Sequence, residues 1–261
     1  MPTIDYRAPI QCLVAVRGHP FDRTAFDAMF QAMEGISATM VDQPAAARLM
    51  NPDGMRGFDA LVLYDMPGLD FASEANAPVY VEPDPELKTG LEALLRQGTG
   101  VVALHHALAG WPVWRDYGDW IGGRFFYHPH GSCLDSGYAH DVRYEAEIVA
   151  DHPVTTGLPP RFELVDEPYL AQIFEADVTP LLRSSATYTR DHFFSAEAAV
   201  AGRMYDRKGW DHPPGSNLIG WTKQALNSRL VYLQPGDGPA AYDNPNYRQL
   251  VENAIRWVAL P

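Results

Sequence analysis

Strand-like and helix-like patterns alternate through residues 10–104, and this alternation narrows the fold more than any other feature of the chain. Ile10–Val16 is an apolar run that stops at Arg17-Gly18-His19-Pro20, as a buried strand followed by a turn would. Asp22 stands where a helix cap is needed, and Phe26, Met29, Phe30 and Met33 then fall on one helical face. Ile36–Val41 reads as a second strand and Phe58–Tyr64 as a third, ending at Asp65. Met66–Pro83 has no clean period and is expected to be a loop. Asp84-Pro85-Glu86 supplies a cap residue, a proline for the first helical position and an acid for the first turn. Leu87, Leu91, Leu94 and Leu95 form the apolar stripe of that helix, Gly98 and Gly100 end it, and Val101–Leu104 is a fourth strand stopping at His105-His106. Such an order calls for right-handed crossovers and a mostly parallel sheet covered on both faces. Ligands of such sheets lie beyond the carboxyl ends of the strands. That rule singles out His19, Asp65, His105 and His106, which are distant in sequence but each follow an apolar strand closely.

The second half is richer in strand signals: Tyr138–Val149, Phe162–Val165, Thr179–Arg183, Ala199–Tyr205, Asn217–Trp221 and Leu230–Gln234. A last helix carries Tyr247, Leu250, Val251, Ala254, Ile255 and Val258 on one stripe. The loop Lys208–Ser216 is turn-prone and expected to be an exposed excursion. No repeat or Gly/Ser-rich linker divides the 261 residues, so one domain over 1–261 is expected.

Charge and cysteine content restrict the partners. With 20 Lys and Arg against 33 Asp and Glu, the net charge of −13 opposes binding to nucleic acid or to anionic membrane surfaces. No apolar run approaches the roughly 20 residues that span a bilayer, and Met1–Asp5 lacks the features of a signal peptide. The two cysteines, Cys12 and Cys133, cannot build a disulfide framework. A cytoplasmic protein acting on a small molecule is expected, and a homo-oligomer is compatible with the sequence.

Four stretches, in order over about 160 residues, carry a resemblance. They are Gly100–Leu108 with Trp111 and Trp114; Gly122-Gly123-Arg124-Phe125 with His128-Pro129-His130; Asp151–Leu158 with Phe162 and Asp166-Glu167-Pro168-Tyr169; and Gly220-Trp221, Arg229–Tyr232, Tyr242–Pro245 and Asn253–Trp257. Together these resemble the ThuA-like family, named for trehalose utilisation. The resemblance implies a three-layer, flavodoxin-like sandwich of the class I glutamine amidotransferase type and a link to disaccharide or keto-sugar metabolism. One departure stands out. Where the family pattern carries Gly-His after the last strand, this chain reads Pro235-Gly236-Asp237-Gly238, with a carboxylate in place of an imidazole.

Amidotransferases place a cysteine nucleophile on the turn after a central strand, and the corresponding turn here, Leu104-His105-His106-Ala107, has none. Glutamine hydrolysis through a thiolate is thereby excluded, and no Gly-x-Ser-x-Gly elbow replaces it. The groups left for catalysis are imidazoles and carboxylates: His105, His106, Glu167 and Asp237. His19, Asp65, Trp111 and Tyr169 are the candidates for substrate contact. His128 and His130, two apart and on one face if extended, could ligate a divalent metal such as zinc, with Glu167, Asp237, His105 or His106 as a further ligand. The expected activity is that of an enzyme acting on a sugar or keto-sugar by acid–base or metal-assisted chemistry. The other reading is a non-catalytic sugar-binding or regulatory module on an old enzyme scaffold.

Overall fold

The computed structural model describes residues 4–72 and 78–260. Nine strands form one sheet: β1 (Ile10–Val16), β2 (Ile36–Asp42), β3 (Ala60–Leu63), β4 (Gly100–Leu104), β5 (Val142–Ile148), β6 (Arg161–Asp166), β7 (Thr179–Ser184), β8 (Leu218–Ala225) and β9 (Ser228–Leu233). Their order across the sheet is β6-β5-β7-β8-β9-β4-β3-β1-β2. Neighbours are parallel from β2 to β9 and antiparallel from β9 to β6. Seven strands therefore share one direction and only β5 and β8 oppose it, as the mostly parallel expectation requires.

Side chains alternate between two cores, which is why the parallel strands are apolar throughout. Cys12, Val14 and Val16 of β1 face one core with helix α1 (Arg23–Gln31); Leu13 and Ala15 face the other. Behind the second core lie α2 (Ala45–Leu49), α3 (Pro85–Gln97) and α4 (Arg115–Ile121). The apolar stripe of α3, Leu87, Leu91, Leu94 and Leu95, is buried as its spacing predicts. Two short helices, α5 (Ala196–Val200) and α6 (Pro239–Tyr242), precede the closing helix α7 (Pro245–Ala259). The expected stripe of α7, from Tyr247 to Val258, is buried against the first core.

Local chemistry sets the boundaries. Asp22 caps α1 by accepting from the Ala25 amide at 2.9 Å, and Gly98 ends α3 in the left-handed conformation at φ +93°. Asp84, by contrast, makes no capping bond through its side chain, and Pro85 alone opens α3. The expected strand at Ala199–Tyr205 is not formed. Ser195 accepts from the Ala198 amide at 3.0 Å and caps α5, whose alanines favour helix. The loop Lys208–Ser216 is pinned at its centre: Trp210 is buried and its indole donates to Asp135 at 2.9 Å. Within the expected loop Met66–Pro83, Leu69–Asp70 pairs with Val79–Tyr80, and residues 73–77 lie outside the described residues.

Gly18, just after β1, has φ +104°, and a Cβ there would lie 2.4 Å from the Met66 carbonyl oxygen. Gly18→Ala combines a backbone clash with a conformation that costs an L-residue about 1–3 kcal/mol. The variant should melt at a lower temperature than the wild type; an unchanged melting temperature would contradict the close packing of this turn.

Candidate functional site

The carboxyl ends of the parallel strands open into a cavity of about 730 Å³, within the range of small-molecule sites. His19 follows β1 and lines it, as do Glu167 after β6, Tyr169, and Asp237 after β9. His105 and His106, which leave β4, lie behind this wall and are fully buried. Since β6 stands five places from β4, a flat sheet with strands about 4.8 Å apart would separate them by roughly 24 Å. Glu167 nevertheless reaches His105 at 3.1 Å. The antiparallel half of the sheet therefore coils over the strand ends, in the sense that strand twist allows.

His105 is the first residue after β4 and has φ +35°, a left-handed conformation uncommon for a side chain of this size. Its Nδ1 donates to the Gln234 carbonyl at 2.6 Å, and its Nε2 lies 3.1 Å from Glu167 Oε2 and 2.8 Å from the Tyr169 hydroxyl. Burial by itself would lower its pKa. The Asp237 and Glu167 carboxylates outweigh burial and hold it up at about 10. Glu167 is held well below the usual carboxylate range despite burial, because His105 and His140 donate to it; His140 Nε2 lies 2.9 Å from Oε1.

The neighbouring His106 is treated in the opposite way. Burial, then the charge on His105, lower its pKa to about 3, so it is neutral. Its ring packs among His19, Tyr64 and His105 at centroid distances of 4.3, 4.7 and 4.5 Å. Among the described residues neither of its nitrogens has a hydrogen-bond partner, and Nε2 is 3.6 Å from Asp237 Oδ1. Asp237 Oδ1 is also 3.6 Å from His105 Nε2. The two carboxylates of the Asp166-Glu167 pair diverge. Asp166 turns back to accept from the Gly236 and Asp237 amides at 2.6 and 3.0 Å, which fixes the turn that presents Asp237. Gly236 at φ +127° allows that turn, since a Cβ there would lie 2.2 Å from the Tyr247 hydroxyl.

One ligand atom each from His105, His106, Glu167 and Asp237 can be chosen so that all lie within 4.8 Å of one another. Four ligands at about 2.0–2.1 Å from a tetrahedral ion are roughly 3.4 Å apart, so the outermost pair would draw in by up to about 1.4 Å to hold one.

The site thus brings together His19, His105, His106, Glu167, Tyr169 and Asp237. Four other expected residues lie away from it. Asp65 is buried and accepts from the Gln43 side-chain amide at 2.6 Å, and it does not line the cavity. Trp111 is a turn residue at φ +45°, its amide donating to the Pro67 carbonyl at 2.8 Å, and it too lies outside the cavity lining. His128 and His130 do not extend into a strand. Their chain turns at Gly131, the His128 ring lies tilted against Tyr80 with centroids 3.9 Å apart, and His130 is exposed. Neither belongs to the cluster that could hold a metal. The residue missed from sequence is His140, which lines the cavity and bridges Glu167 to the Tyr205 hydroxyl at 3.0 Å.

A family model described as ThuA, trehalose utilisation, matches residues 16–258. Among solved structures, a ThuA-like protein from Parabacteroides merdae superposes with a TM-score of 0.66 at 14% identity, covering 96% of this chain and 90% of that one. A ThuA-like protein from Bacteroides uniformis gives 0.62 at 17% identity, covering 99% and 95%. A GMP synthase protein from Thermoplasma acidophilum gives 0.53 at 9% identity, covering 96% and 94%, which places the fold with the glutamine amidotransferase-like sandwiches. A search of curated proteins gives no match. No helix among the described residues is long and apolar enough to cross a membrane.

Proposed function

Because the chain belongs to the ThuA family, we propose that it is an enzyme converting a small, uncharged, sugar-like molecule, a polyol or keto-sugar, in this cavity. The observation that carries the reading is the convergence of His105, His106, Glu167 and Asp237 at one end of it. A mere binder gains nothing from four buried or half-buried ionisable groups, whose desolvation is costly; a reaction that moves protons needs them. His19 donates through Nδ1 to the Pro20 carbonyl at 2.8 Å, leaving the lone pair on Nε2 of a ring that lines the cavity. With the Tyr169 hydroxyl it can pass a proton to or from a substrate oxygen held at the cluster. No thiol is present there, so the route is not that of an amidotransferase.

The walls argue for the substrate class. The described lining residues include Asp22, Asp141, Glu167 and Asp237 but no Lys or Arg. The carboxylates of the wall oppose a phosphate or carboxylate on the substrate, and the nearby imidazoles are engaged with Glu167 and Asp237. Phe21, Phe71, Phe125, Tyr127 and Tyr138 supply aromatic surface for the apolar C–H faces of a sugar ring. The test is a panel of neutral disaccharides, keto-sugars and their phosphate esters, followed by proton NMR. At least one neutral member should be converted and its phosphate ester should not. Conversion of phosphorylated members only, or of no sugar at all, would contradict the proposal.

A further inference from the structure

The unpartnered imidazole of His106 sits beside groups that other residues hold from outside. His105 spends Nδ1 on the Gln234 carbonyl, Glu167 spends Oε1 on His140, and Asp166 fixes the backbone of Asp237. The inner atoms, His105 Nε2, His106 Nε2, Glu167 Oε2 and Asp237 Oδ1, face one another. Buried polar atoms are rarely left without a partner, yet His106 Nε2, on a ring at 1% exposure, has no hydrogen bond among the described residues, and an ion would engage it. Ligands oriented from outside by carbonyls and second side chains are the usual construction of a metal centre. We infer that these four residues bind one divalent transition-metal ion of the zinc class.

The donor set supports that choice of ion. Two imidazoles and two carboxylates suit zinc, cobalt, manganese or iron(II) better than the all-oxygen sites of calcium and magnesium. The two carboxylates also balance the charge of the ion. Asp237, a third exposed, opens the site to the cavity, so a substrate oxygen can approach from that side. The ion would supply Lewis acidity at that oxygen. The assignment moves metal binding from His128 and His130 to the floor of the cavity. It rests on the cavity being the reaction site only for the ion's role, not for its binding.

The test is metal analysis of the full chain as purified, followed by cobalt(II) titration of the chelator-treated protein, read by visible absorption. One equivalent per chain is expected, with the ligand-field bands of a low-symmetry site. Affinity should fall at least about tenfold to a hundredfold in His106→Ala and in Asp237→Asn, and remain unchanged in His128→Ala/His130→Ala. Asp237→Asn serves if His106→Ala fails to fold, because the Asp166 bonds go to the backbone of residue 237. No stoichiometric cobalt, or equal affinity in wild type and Asp237→Asn, would overturn the inference. Metal binding without turnover of any sugar would leave it standing and remove the proposed function; turnover without metal would do the reverse.

Discussion

Asp237→Asn should leave the chain folded and lower turnover by about 10²–10⁴, the usual contribution of a positioned ionisable group. The substitution keeps the shape of the side chain and the backbone bonds to Asp166. It removes the charge that lies 3.6 Å from both His105 and His106. Its stability cost should be well below that of a core truncation, because the side chain is a third exposed. Steady-state kinetics beside a thermal melt will check this. Turnover within a factor of about three of wild type would show that the carboxylate does not serve the reaction.

The opposite pattern is expected at Ile255. This α7 side chain is fully buried in the first core with Val102 and Val251. Ile255→Ala leaves a cavity there and should cost about 2–5 kcal/mol. For a chain of this size that corresponds to a fall in melting temperature of roughly 5–15 °C. The residual folded protein should turn over substrate normally, since α7 packs beneath the sheet and contributes nothing to the cavity lining. A stability loss under about 1 kcal/mol in urea unfolding would mean that the core relaxes around the deletion.

The contrast between these two positions reflects how the chain encodes its structure. The parallel half was legible because its signals are local: buried strands read as apolar runs, and α3 and α7 read as stripes of the right period. His19, His105 and His106 followed from the rule that sites lie past strand ends. Glu167 and Asp237 followed from the motif blocks. The rule failed for Asp65, which satisfies Gln43 instead of facing the cavity. It failed in the other direction for His140. That residue precedes β5, and β5 runs against the parallel strands, so its beginning, not its end, meets the cavity. Strand direction in the second half is decided by pairing across the sheet, which no local pattern records. The same holds for the coiling that carries Glu167 to His105.

His128 and His130 illustrate a different difficulty. Two histidines at alternate positions share a face only if the backbone between them is extended. Here the chain bends at Tyr127-His128 and turns at Gly131, and the nearby Tyr80 ring gives His128 an aromatic partner. The metal-like pattern that the fold does produce is assembled from three separate strand ends, β4, β6 and β9, and has no sequence spacing of its own.

The most direct test of the cavity as the reaction site is a crystal structure of Asp237→Asn soaked with the neutral sugar or keto-sugar that the wild type converts. The slowed variant should trap the ligand with an oxygen within hydrogen-bond distance of Glu167, Tyr169 or His19 and its ring against the aromatic wall. A ligand bound elsewhere on the chain, with this cavity filled only by solvent at saturating concentration, would contradict the proposal.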